Sequence, residues 1–199
     1  MAQIAPLSSG LAPGLLVASP TLGDPNFDGS VVLMAEHRAE GALGFVVNRP
    51  GPIAVADVLR GLDPALADEA IRHGRAGGQV MEGGPVQPER LWILYRPGEV
   101  PAEEDATLVG GDLALGGSRE LLEALVRTPG GGPFLLMLGY AGWAPMQVEQ
   151  EVTAGAWIPL PLQEDLVFDV PHAERWDQAV RRIGLQPGGF MVAGGGARA

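Results

Sequence analysis

Short apolar runs bounded by glycine, proline and charged residues alternate along this chain with stretches in which apolar residues recur at helical spacing. Leu15 to Ala18 reads as a strand, closed by Ser19-Pro20 and the turn-rich Gly23-Asp24-Pro25-Asn26. Val31 to Glu36 and Ala42 to Val47 are two further β-rich runs joined through Arg38-Ala39-Glu40-Gly41, the pattern of a hairpin. Neither run alternates with polar residues, so both faces of the hairpin are expected to be covered. Val55, Val58, Leu59 and Leu62 stand at i, i+3, i+4 and i+7 and predict a helix from Val55 to Leu62. The polar segment Asp63 to Gly78 reads as a short helix or a loop.

Further on, Gln79 to Glu82 and Leu91 to Tyr95 read as strands flanking the Gly83-Gly84-Pro85 turn, and Thr107 to Val109 adds another. Ser118 follows two glycines and precedes Leu121, Leu122 and Leu125, which makes it the N-cap of a helix. Phe134 to Leu138 is a buried strand running into a Gly139-Tyr140-Ala141-Gly142-Trp143 turn, then a helix from Pro145 to Ala154. Ala156 to Leu160 and Asp165 to Phe168 read as short strands, and Trp176, Ala179, Val180 and Ile183 define a last helix stopped by Gly184. A hairpin, separate strands and interspersed helices predict an α+β (mixed α/β) fold in a single domain over residues 1–199, with its core at about 15–184 and a Gly-rich tail at 186–199.

Composition narrows the chemistry. Hydrophobic residues make up 46% of 199 positions, enough for a core without staples, while 30 Gly and 18 Pro imply many turns and close backbone approaches. The absence of Cys excludes disulfides, a thiolate nucleophile and Cys-ligated metal. All 13 basic residues are Arg, so a P-loop lysine, a Schiff-base lysine and a Ser-Lys dyad are excluded too. A formal net charge of −11 repels phosphate backbones, and direct nucleic-acid binding is not expected. The small basic groupings, Arg72 with Arg75 and Arg175 with Arg181 and Arg182, read as solvated helix faces. The N-terminus lacks a positive n-region, and the longest apolar run, Phe134 to Met146, falls short of the ~20 residues a bilayer span needs. A cytoplasmic location away from membranes is the expectation.

Candidate sites are few. Asp24-Pro25-Asn26-Phe27-Asp28-Gly29 matches the first half of a calcium loop, but the bidentate Glu that should follow is Ala35, so a turn is expected. His37, His73 and His172 are too far apart for a local metal pair, and neither a metal nor a cofactor is expected. None of the five serines sits in a nucleophile elbow. The glycines from Gly110-Gly111 to Gly116-Gly117 precede a helix but lack the dinucleotide fingerprint, which leaves helix capping.

Two polar junctions after predicted strands remain: Asn48-Arg49 after Val47, and Tyr140 to Gln147 after Leu138. If those strands are parallel neighbours, Asn48, Arg49, Tyr140, Trp143, Gln147, Glu149 and Glu151 line one cleft at their carboxyl ends. The competing reading makes Asn48 a turn organiser, puts Trp143 in the core and turns Gln147 and Glu151 to water.

Asp24-Pro25-x-Phe27 before Ser30-Val31-Val32, Glu36-His37, GALGFVVNRP from Gly41 to Pro50, Gly83-Gly84-Pro85-Val86 with Arg90, Gly139-Tyr140-Ala141-Gly142-Trp143 and Gln147-x-Glu149-x-Glu151 occur in order over Leu15 to Gly184. Together they resemble the YqgE/AlgH family of bacterial proteins. The resemblance implies two connected or bifurcated β-sheets surrounded by helices. It marks Pro25, Phe27, Glu36, His37, Gly41, Gly44, Pro50, Gly83, Gly84, Pro85, Gly139 and Gly142 as motif positions of structural weight. Met146-Gln147-Val148 stands where the family often reads Gly-Gln-Leu, and Tyr95 where it tends to have His.

Some members are described as transcriptional regulators of exopolysaccharide production, with no DNA-binding motif to account for it. The resulting expectation is a non-enzymatic cytosolic regulatory or interaction protein that acts through a protein partner or a small ligand. The alternative is a small-molecule-binding protein or enzyme, with Glu149 or Glu151 as general acid or base beside Asn48 or Gln147.

Overall fold

The computed structural model describes residues 10–98, 100, 106–110, 112–129 and 132–185. The Gly-rich tail at 186–199 and Gly111 lie outside the described residues. Among the described residues ten strands form the frame: β1 (Gly14–Ala18), β2 (Val31–Arg38), β3 (Gly41–Val46), β4 (Pro50–Ala54), β5 (Gln79–Glu82), β6 (Val86–Tyr95), β7 (Thr107–Gly110), β8 (Leu113–Gly116), β9 (Phe134–Trp143) and β10 (Trp157–Pro161). The helices are α1 (Val55–Leu62), α2 (Pro64–Arg72), α3 (Arg119–Arg127), α4 (Gln147–Thr153), α5 (Glu164–Phe168) and α6 (Arg175–Arg182), the last preceded by a 3-10 turn at His172–Glu174.

The strands run in the order β10-β1-β2-β3-β9-β6-β8-β7, with β4 and β5 branching from β9. The sheet is bifurcated at β9. The first half of β9 lies between β5, to which it is parallel, and β6, to which it is antiparallel. Its second half, Ala141 to Trp143, pairs antiparallel with β3. A bend at Gly139, where φ is 69°, takes one strand from one sheet into the other. Gly84 makes the bend possible, because a Cβ on it would lie 2.2 Å from the Tyr140 carbonyl carbon.

Three apolar clusters fill the layers. Between the two sheets lie Leu15, Leu33, Phe45, Leu94, Leu113 and Met137, closed off by Leu166 of α5 and Val180 of α6. Helices α1, α2 and α3 bury Leu59, Leu66 and Leu122 on the outside of the second sheet. On the outside of the first, Val32, Met34 and Val46 meet Trp143, Trp157 and Val148 of α4. Alternate residues of β2 therefore serve different clusters, and both faces of the β2–β3 hairpin are covered, as its unbroken apolar pattern requires. The Ser118 hydroxyl accepts from Leu121 N–H at 2.9 Å and caps α3.

Several local expectations change. Asp165 to Phe168 is the helix α5, not a strand: Glu164 and Asp165 favour its first turn, and Leu166 and Val167 are buried. Four apolar-rich residues cannot distinguish the two periods. The run from Gly139 to Trp143 is not a turn but the continuation of β9, because Gly139 supplies the bend without ending the ladder. Strands β4 and β8 have weak sequence signals, β4 holding two prolines and a glycine and β8 only four residues. The segment after Asp63 resolves as α2, with the Asp63 carboxylate accepting from Ala65 N–H and Pro64 at the first helical position. The two strands flanking Gly83-Gly84-Pro85 are present as read, and both pair with β9, which lies between them.

Candidate functional site

The strands carrying the two polar junctions are neighbours, but β3 and β9 are antiparallel, with Ala42 opposite Trp143. Asn48 and Trp143 therefore leave opposite ends of the pair, and the single cleft at parallel carboxyl ends is corrected to two groups of residues. A loop, 19–30, links them.

Asn48 organises one end of that loop. Its Oδ1 accepts from Val31 N–H at 2.8 Å and its Nδ2 donates to the Gly29 carbonyl at 2.9 Å. Arg49 donates to the carbonyls of Asn26 and Asp28. Within the loop, Asp24 Oδ1 accepts from Asn26 N–H, and Phe27 N–H and Asp28 N–H both reach the Asp24 carbonyl, with Pro25 at the second position of the turn. Its acidic side chain is thus committed to the turn, and among the described residues no group of three His, Cys, Asp or Glu converges to hold a metal ion.

Between Asn26 and Asp28, in the same part of the loop, Phe27 packs with Trp143 and Trp157, at ring-centroid distances of 6.3 and 5.5 Å. Glu151 lies beneath the two indoles: its Oε2 accepts from Trp143 Nε1 at 2.9 Å and from Trp157 Nε1 at 2.8 Å. Its Oε1 accepts from Gln147 Nε2 at 2.8 Å, and Gln147 Oε1 in turn accepts from Ala144 N–H. Gln147 is exposed, as the competing reading expects, while Glu151 is half-buried and held by the two indoles.

Glu149, on the same helix, meets His37 at 2.9 Å. His37 Nδ1 accepts from Leu11 N–H, so the proton sits on Nε2 and is given to Glu149. Hydrogen bonding to its own backbone N–H is the main cause that holds the Glu149 carboxyl below its ordinary value; His37 adds to the effect and burial opposes it. A general acid at neutral pH needs the opposite shift. The second oxygen, Oε2, is buried without a partner among the described residues.

Arg49 also lines a cavity of about 330 Å³ with Val46, Ile53, Glu82, Pro85 and Leu138, a volume at the lower end of the small-ligand range. Tyr140, Gly142 and Trp143 instead border an open groove of about 560 Å³ with Glu36 and Val86. The motif residues sort by role. Gly41 passes against Trp143, where a Cβ would lie 2.4 Å from its carbonyl oxygen; Gly44 crosses Val32; Gly83 crosses Gly139; and Pro50 begins β4.

Sequence patterns missed Trp157, which reads only as part of an apolar strand, and the cavity wall at Ile53 and Glu82. They also placed Arg175 on a solvated face, whereas it is 4% exposed and bonded to the carbonyls of Val170 and Val47. The first turn of α6 lies against the sheet ends, so a residue there points inward.

A single α+β domain whose two sheets share one bent strand, with the motif glycines at the bend and the motif polar residues holding one loop, is the class that the fold and site define. The AlgH-like family model matches residues 15–188, and the chain belongs to that family. A UPF0301 protein of Anaeromyxobacter dehalogenans strain 2CP-1 is 69% identical over the full length of both chains. One of Chromobacterium violaceum is 37% identical over 90% of this chain and 94% of its own. The solution structure of the AlgH protein from Pseudomonas aeruginosa is similar over 100% of both chains, with a TM-score of 0.70 at 33% identity. A crystal structure of a Corynebacterium diphtheriae protein shares the fold at TM-score 0.65 and 22% identity, over 88% of this chain and 87% of its own. Among the described residues no helix is long and apolar enough to cross a membrane.

Proposed function

We propose that this AlgH-like chain is a regulatory domain that acts by binding rather than by catalysis, taking a small ligand in the Arg49 cavity and passing its occupancy to a protein partner through the 19–30 loop. The observation that carries the reading is the double placement of Arg49, in the cavity wall and on the carbonyls of Asn26 and Asp28. A ligand that draws on the guanidinium alters the hold on the loop, and the loop carries Phe27 against Trp143 and Trp157. The engagement of Glu149 and Glu151 by His37, Gln147 and two indoles supports binding over acid–base chemistry. With a net charge of −11, a partner of protein rather than nucleic-acid character fits the surface.

Native mass spectrometry of protein purified from its own cells tests this. The expected result is a small-molecule adduct on the wild type that is lost from Arg49→Ala and from the cavity-filling Leu138→Trp. A wild-type protein free of adduct, or one whose adduct survives both substitutions, contradicts the reading.

A further inference from the structure

A second cavity, of about 550 Å³, opens beside the start of α6, between the turn after α2, the first residues of β9 and the segment 168–172. Its volume is in the range of small-molecule sites. Phe134, Leu136 and Phe168 give it apolar walls. Among the described residues its ionisable wall side chains are Arg175, Arg75, His73 and His172, with Asp169 the one acid.

Arg175 sets this cavity apart. It is 4% exposed, its Nε donates to the Val170 carbonyl at 2.9 Å, and its Nη1 donates to the Val47 carbonyl. Among the described residues Nη2 has no partner and no carboxylate pairs with the guanidinium. Burial pushes the Arg175 pKa down to about 10, the behaviour of a cation that has lost water without gaining a counter-charge. The chain has 24 acids to 13 arginines, so an unpaired buried arginine does not follow from any shortage of carboxylates. Carbonyl oxygens anchor the side chain but carry no net charge, and an unpaired buried ion is costly.

We infer that this cavity is an anion site. It takes a small molecule with one carboxylate or phosphate head, held by Arg175 with Arg75, His73 and His172 around it, and an apolar body lying against Phe134 and Phe168. The site is separate from the Arg49 cavity, although Met81 contributes to both walls, and it stands whether or not the Arg49 reading does.

Benzoate and phenyl phosphate, one for each head, titrated separately into ¹⁵N-labelled full-length protein at an ionic strength held constant with sodium chloride, test the inference by NMR. The expected result is a saturable shift of the Arg175 Nε–H and of the Gly78, Phe168 and His172 amides with at least one probe, abolished in Arg175→Gln. A response to benzoate alone marks a carboxylate site, and one to phenyl phosphate alone a phosphate site. The inference is overturned by no saturable shift with either probe, by shifts that sodium chloride reproduces, or by unchanged binding in a folded Arg175→Gln. Should that variant not fold, the wild-type map decides, and saturable shifts confined to other parts of the molecule overturn the inference equally.

Discussion

Glu151 holds two indole N–H groups and the Gln147 amide, so its carboxylate is part of the frame. Glu151→Ala leaves those donors without their acceptor, and a loss of about 2–4 kcal/mol in urea unfolding is expected. A carboxylate kept for catalysis at the expense of stability gives the reverse, a neutral or stabilising substitution. Glu149 makes a pH-dependent contribution. Its folded pKa lies below the ordinary 4.5, so the stability it supplies is fully present above that value and is lost as pH falls through the folded one. The stability gap between wild type and Glu149→Gln is therefore widest at neutral pH and narrows as pH falls below 4.5 through the folded value, which unfolding curves at neutral and acid pH measure. Met146 makes the opposite kind of case. Its φ is 64°, in the left-handed region that favours Gly, and it is 59% exposed. The backbone shape survives without the residue that favours it, at a conformational cost. Met146→Gly is expected to raise stability by about 0.5–1 kcal/mol, read as an increase in the urea midpoint.

Among the elements, β9 and its neighbours depend on backbone contact. Gly84→Ala forces a Cβ to within 2.2 Å of the Tyr140 backbone at a φ of 153°, and a loss of about 3 kcal/mol or more, or failure to fold, is expected in a thermal melt. This is also where sequence reading stops short. Periodicity locates the helix at Val55 to Leu62 and the hairpin from Val31 to Val47, because side-chain burial there is regular. It misses β4 and reads the second half of β9 as a turn, because glycine and proline in those stretches signal punctuation when taken locally. In the fold they allow one strand to leave its sheet and another to cross it. The direction of β3 against β9 is a long-range fact that no local pattern carries, and the expected common cleft failed on it. Asn48, read both as a cleft residue and as a turn organiser, is the turn organiser, since both ends of its amide are occupied by the 29–31 backbone.

Over the whole molecule, residues 47–49 form a junction. The Val47 carbonyl receives Arg175 from α6, Asn48 fixes the end of the 19–30 loop, and Arg49 joins that loop to a cavity wall. Trp176 Nε1 adds a bond to the Ala18 carbonyl at 2.9 Å, so α6 is tied both to the end of β1, where the loop begins, and to the residue that follows β3. The 19–30 loop is thus held over residues 26–31 both by polar residues and by an aromatic pair, and the arginine that holds it also lines a cavity. Amide hydrogen exchange of the wild-type protein, with and without the fraction below about 1 kDa from its own cells, reads that arrangement directly. Added protection at residues 24–30 and 80–85, absent in Arg49→Ala, is the result expected of a ligand-responsive loop. Protection confined to 132–136 and 168–175, or no change anywhere, contradicts it.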